Sequence, residues 1–140
     1  MMRATTPTIF LVLPLLLTVG LAVDAGARLL PRADNVPLAH MVFFTLKDHS
    51  QAARDAFIAS CQKNLTNHEG VTYFSVGIYA DDVEEVGVSV KDFDIALHVV
   101  FENKAAKARY LEHPRHDRFV EENKASFEKV RVFDSYLAKP

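Results

Sequence analysis

Residues Leu38 to Leu46 read Leu-Ala-His-Met-Val-Phe-Phe-Thr-Leu, a run that is apolar on both sides when extended. With the two-residue period of a strand, Leu38, His40, Val42, Phe44 and Leu46 point one way. Ala39, Met41, Phe43 and Thr45 point the other way. Such a strand needs cover on both faces, and what supplies that cover decides the fold.

Downstream, Asp48 or Ser50 is placed to cap a helix through about Asn67, with Ala53, Phe57, Cys61 and Leu65 as its apolar stripe. Gly70 closes it. Val71 to Ala80 reads as a second strand, apolar on both faces, and Asp81 to Lys91 as an acidic, irregular connection. Phe93 to Glu102 reads as a third strand, with Phe93, Ile95, Leu97, Val99 and Phe101 on one side. Asn103 caps a helical run to about Glu128 that Pro114 interrupts, since proline suits only a first helical turn. After the break, His116, Phe119, Val120, Asn123 and Phe127 share one helix face. Val130 to Leu137 is the last strand.

This order, β-α-β-β-α-β, predicts an α+β, ferredoxin-like split βαβ unit: a four-stranded sheet with its helices on one face. Strands one and three are expected side by side and parallel, with strand four antiparallel beside strand one. The second sheet face then stays bare although its side chains are largely apolar, and an apolar patch of that size is unstable in water. A second copy packed sheet to sheet covers it. The double-sided strands thus predict a homodimer that encloses a space between its two sheets.

The 140 residues allow one domain. Residues 1–27 read as an export signal: Arg3 supplies a positive start, Ile9 to Val23 is mostly apolar, and Ala25-Gly26-Ala27 fits a small-x-small cleavage site. The apolar run falls short of the roughly 20 residues that span a bilayer. A cleaved signal, giving a secreted or periplasmic protein with no membrane contact afterwards, is therefore expected ahead of an uncleaved membrane anchor. Residues 28–37 read as a linker and 38–138 as the folded domain. Net charge is −2 without a basic cluster, which argues against a nucleic-acid partner. The single cysteine, Cys61, lies on the helical stripe and reads as a small core residue. Asn64-Leu65-Thr66 matches a glycosylation sequon but sits close to a packed face.

Four features resemble the Dabb family of stress-responsive dimeric α/β-barrel proteins. They are the opening strand with its histidine, the Phe-Asp-Ile-Ala-Leu strand ending Phe101-Glu102, the Tyr-x-x-His-Pro-x-His run from Tyr110 to His116, and the closing Val-Phe-Asp strand. The resemblance spans about Leu38 to Leu137 and implies two ferredoxin-like units joined through their sheets. Some plant members are polyketide cyclases that close their substrate by intramolecular aldol condensation. Carried over, that resemblance implies a catalytic set of His40, Tyr110, His116 and Asp134.

These residues also have a physical case of their own. His40 near the start of strand one and Asp134 near the end of strand four lie where antiparallel neighbours meet. A carboxylate there would fix the imidazole tautomer and raise its pKa. His116 is the candidate general base, and Tyr110 the hydrogen-bond donor to an enolate or carbonyl oxygen. Each also reads as ordinary packing: a structural His–Asp bond, and a helix-face histidine against Phe119. His113 is explained by free backbone groups at the helix break. His49 and His68 read as solvated, His98 has no assigned role, and Arg115 and Arg118 belong to a solvated helix side.

Pro114 spoils the His113–His116 spacing as a metal pair, and no haem or flavin signature is present, so no metal or cofactor is expected. Two functions stand: an exported homodimer that binds a small, partly apolar molecule, with cofactor-independent His/Tyr proton transfer of the cyclase or lyase type, or a non-catalytic, stress-related structural dimer. A cofactor-using oxygenase is a weaker third.

Overall fold

A computed structural model describes residues 35–83 and 87–138. The expected signal segment and most of the linker lie outside the described residues. The elements are β1 (Leu38–Leu46), α1 (Gln51–Leu65), β2 (Val71–Ile78), β3 (Ile95–Phe101), α2 (Lys104–Leu111), α3 (Pro114–Asn123) and β4 (Phe127–Tyr136). This is the ferredoxin-like βαββαβ order. The sheet runs β2-β3-β1-β4.

Every neighbouring pair is antiparallel, which corrects the expectation that strands one and three run parallel. The α1 crossover returns the chain so that β2 runs with β1. The chain then reverses into β3, which inserts between them and opposes both.

Ser50 caps α1 through its hydroxyl, which accepts from the Ala53 N–H, and Asn103 caps α2 in the same way at Ala106. The α1 helix stops at Leu65, short of the expected Asn67, because Asn67 adopts a left-handed φ of 56°. Gly70 follows at φ 80°, and a Cβ there would come within 2.5 Å of Ala106 Cβ. That glycine lets α2 lie close against the start of β2.

The inward side of β1 is buried as the alternation requires, with Val42, Phe44 and Leu46 each 4% exposed or less. Ile95, Leu97, Val99 and Phe101 do the same from β3. Phe57, Cys61 and Leu65 from α1 and Phe119 from α3 close over them. Aromatic contacts tie the layers together, with Phe44 to Phe57 at 4.9 Å and Phe57 to Phe119 at 5.6 Å between ring centroids. Burial pushes the Cys61 thiol up to about 12, so it is an inert packing group. Asn64 is equally buried, and its amide donates to Glu122 at 3.0 Å. The sequon is therefore spent on packing.

Two boundaries differ from the sequence reading. The helical run ends at Asn123; a 3-10 turn follows, and Phe127 and Glu128 already belong to β4. Phe127 packs against Phe44 from the strand, at 5.4 Å. Phe93 precedes β3 and lies on the opposite sheet face, 4.9 Å from Phe43. The linker's last residues join the fold, for Val36 is buried and the Leu137 N–H donates to the Pro37 carbonyl at 2.8 Å.

The other sheet face carries Phe43, Phe93 and Phe133, with Phe133 55% exposed. No described helix covers it. No described helix is long and apolar enough to cross a membrane.

Candidate active site

The β1–β4 register sets His40 opposite Asp134. His40 Nδ1 and Asp134 Oδ1 are 2.7 Å apart. Lys107, on α2, donates to the other carboxylate oxygen at 2.5 Å. Burial of Asp134 works to raise its pKa, but the bonds from Lys107 and His40 prevail and hold the carboxyl below its usual range. His40 does not follow the sequence expectation. Burial lowers its pKa, outweighing the bond and charge of Asp134 that raise it. His40 is therefore neutral at neutral pH, donates from Nδ1 and keeps a lone pair on Nε2. Lys107 is then the charged partner of Asp134.

Tyr110 lies in the last turn of α2 and is 2% exposed. Its ring meets Phe101 at 5.1 Å, His68 at 4.9 Å and His116 at 5.0 Å. Burial raises its pKa, so the phenol stays protonated and is a donor. His116 stands in the first turn of α3 and is half-buried. Burial lowers its pKa and prevails over the opposing pull of the Asp117 carboxylate, with smaller pushes in the same direction from the imidazoles of His40 and His68. A neutral imidazole is a proton acceptor.

Within the described chain, neither the Tyr110 hydroxyl nor the His116 ring makes a hydrogen bond. Neither is sealed off, since Arg131 Nε is the one described side-chain atom that is both enclosed and unpartnered. Phe101 joins the two pairs, touching Tyr110 and, at 6.3 Å, His40. The four predicted residues thus gather at one end of the sheet as two pairs.

A hollow of about 380 Å³ opens beside them between α2 and β4. Of the four, Asp134 alone lines it, together with Lys107, Lys104 and apolar side chains.

Two participants escaped the sequence reading. His68 is buried, not solvated: its Nε2–H donates to the Asn64 carbonyl at 2.9 Å, and its ring packs on Tyr110 and on His113 at 4.6 Å. Lys107 gave no local signal, since the carboxylate it engages, Asp134, lies on the last strand. His113 takes the local role expected of it, accepting the Arg115 N–H at 3.1 Å to cap α3. Arg115 reaches the Thr66 carbonyl and ties α3 to the end of α1. His98 meets Ser75 at 3.1 Å on the uncovered face. No group of three or more His, Cys, Asp or Glu among the described residues is arranged to hold a metal.

Three imidazoles, the buried His40 and His68 and the half-buried His116, make stability fall in acid. Each folded pKa lies below the ordinary 6.5. The unfolded chain therefore binds more protons as pH drops through 6.5, and stability declines with it. Urea unfolding midpoints should fall between neutral pH and about pH 5, an interval that spans the ordinary histidine pKa. A flat profile there would contradict the neutral, buried assignment.

The geometry defines a class: a ferredoxin-like α+β unit with an uncovered apolar sheet face and a paired His/Tyr site at one sheet end. The chain belongs to the Dabb family, the stress-responsive A/B barrel domain, whose model matches residues 38–137. A Dabb family protein from Mesorhizobium loti with a ferredoxin-like fold is 26% identical; the match covers 74% of this chain and 99% of that one, with a TM-score of 0.60. A hydroxynitrile lyase from Passiflora edulis is 23% identical, covering 76% of this chain and 97% of its own, with a TM-score of 0.60. A dimeric ferredoxin-like protein of unknown function from Bacteroides fragilis is 19% identical over 72% of this chain and 96% of that one, with a TM-score of 0.56. Another dimeric ferredoxin-like protein of unknown function, from Thermobifida fusca, is 13% identical, covering 76% of this chain and 96% of that one, with a TM-score of 0.60. No functionally curated protein matches the chain.

Proposed function

We propose that the protein is exported and acts as a homodimer that binds a small, partly apolar carbonyl compound, on which His116 and Tyr110 perform proton transfer. One observation carries this reading. A protonated phenol and a neutral imidazole lie 5.0 Å apart between ring centroids, and neither spends its polar atoms on the protein. Buried polar groups are ordinarily satisfied, so the pair is left with capacity for a guest.

In the aldol direction, His116 takes a proton from carbon next to the carbonyl. The electron pair moves to the carbonyl oxygen, where the Tyr110 hydroxyl stabilises the enolate. The enolate carbon then attacks a second carbonyl of the same molecule, and the resulting alkoxide recovers the proton. His40, fixed by Asp134, supports the site without entering these steps. The same pair, His116 and Tyr110, suits cleavage of a hydroxynitrile. His116 takes the hydroxyl proton, and the C–CN bond breaks as the C=O bond forms beside the Tyr110 hydroxyl. Cyanide leaves with the proton returned by His116. The Passiflora edulis relative bears the name of such a lyase, and its likeness speaks for the fold.

The uncovered aromatic face supports the dimer, as do the dimeric relatives. A second reading, a non-catalytic structural dimer, draws on one fact: Tyr110 belongs to the hydrophobic core cluster.

A melting-temperature screen of the full-length protein against small ketones and aldehydes separates the two. Saturation at about a hundred times Kd adds about 2.7 kcal/mol, a shift of roughly 10–20 °C for a domain of this size. The shift is expected to vanish in His116→Ala and Tyr110→Phe. No shift with any compound leaves the binding reading without support, and a loss of stability in both variants would then favour the structural reading.

A further inference from the structure

We propose that the hollow beside Asp134 is an anion-anchored subsite, which takes the carboxylate of a small amphiphilic acid on Lys104 and Lys107 and its apolar body on Leu38, Leu111 and Tyr136. The inference deepens the proposed function by naming a substrate class, and rests on that reading for its link to the proton-transfer pair.

The lining sets two ammonium groups against one carboxylate. That carboxylate is already engaged by the Lys107 ammonium and by His40. An ammonium carries three donors, and Lys107 uses one on Asp134. Its side chain is only 16% exposed, so the remaining donors sit at the wall of the hollow and not out in bulk water. Lys104 has no ion-pair partner among the described residues. It stands at the first position of α2, whose first turn holds no acidic residue. A cation there opposes the helix dipole, so the helix gains nothing from it. The rest of the lining is mainly apolar. At about 380 Å³ the hollow falls near the small end of ligand sites, which run from about 300 to 1,000 Å³. Two cations and hydrocarbon within one lining are complementary to a compact molecule with one anionic end.

The test is calorimetric titration of the full-length protein with octanoate and with octanamide, its neutral isostere. Octanoate should bind at least about tenfold tighter than octanamide, as one charge-assisted contact provides. High salt should weaken the acid selectively. Lys104→Gln and Lys107→Gln should each weaken octanoate about tenfold and leave octanamide unchanged. Lys104 is exposed and unpartnered, so its variant folds even if the release of Asp134 by Lys107→Gln does not. Equal binding of acid and amide, no binding of octanoate, or wild-type octanoate affinity in Lys104→Gln would each overturn the proposal. His116→Ala should bind octanoate as wild type does; loss there with retention in Lys104→Gln places the acid at the imidazole and also overturns it. Lysine-dependent octanoate binding without any turnover of carbonyl compounds would keep this subsite and remove the proton-transfer chemistry.

Discussion

Replacing His116 by alanine is expected to slow deuterium exchange at the carbon next to the carbonyl of benzylacetone by about 10²–10⁴-fold, the usual contribution of a positioned general base. The exchange, followed by proton NMR in deuterated water, reads proton abstraction alone and requires no knowledge of the physiological substrate. Tyr110→Phe removes the donor at the developing enolate and is expected to cost about 10²–10³-fold. The pH dependence has a definite sign. Abstraction needs the unprotonated imidazole, and burial lowers the His116 pKa below 6.5. The rate should therefore hold as pH falls from neutral through 6.5 and decline only below it. An apparent pKa at or above 6.5, or a His116→Ala rate equal to wild type, would contradict the assignment.

The largest stability loss is expected away from this pair, at Asp94. It is 4% exposed and accepts from the Leu46 N–H at 2.9 Å, from His49 at 3.0 Å and from Arg54 at 2.9 and 3.1 Å. One carboxylate thus ties the end of β1 and the first turn of α1 to the start of β3. Asp94→Ala leaves a buried N–H and a guanidinium without their acceptor. Breaking a buried pair costs about 3–5 kcal/mol, and partial exposure of Arg54 and His49 moves the expectation to the lower end. That is a large share of the roughly 5–15 kcal/mol available to a domain. Asp94→Asn keeps an acceptor for Leu46 and should lose less. Burial tends to raise the Asp94 pKa, but the bonds from Leu46, Arg54 and His49 lower it below the ordinary 3.8. Its contribution is therefore complete above that value and disappears as pH falls through the folded pKa. Urea titration checks both variants; a loss for Asp94→Ala under about 1 kcal/mol, no more than one ordinary hydrogen bond, would contradict the hub role.

Much of the fold was legible because β1 is apolar on both faces and because Ser50, Asn103 and Pro114 punctuate the helices. Strand direction was misread at β3, although the count of reversals alone requires it to oppose β1. Phe127 extended a helical stripe on paper. It is partly buried in either conformation, so periodicity could not distinguish helix from strand. The His40–Asp134 meeting was readable from strand neighbours. The sign of the His40 shift was not, because it depends on burial against charge, and burial is a property of the packed structure. His68 sits in a polar stretch, Asn67-His68-Glu69-Gly70, whose left-handed turn folds the ring under Tyr110. Lys107 looked like any solvated helix lysine because its partner, Asp134, lies on the last strand.

The most direct measurement is a crystal structure of the protein with benzylacetone bound. The carbonyl oxygen is expected within about 2.6–3.2 Å of the Tyr110 hydroxyl, with the neighbouring carbon facing the His116 imidazole. A ketone bound elsewhere, with Tyr110 and His116 closed in by side chains, would show the pair to be part of the core and contradict the account.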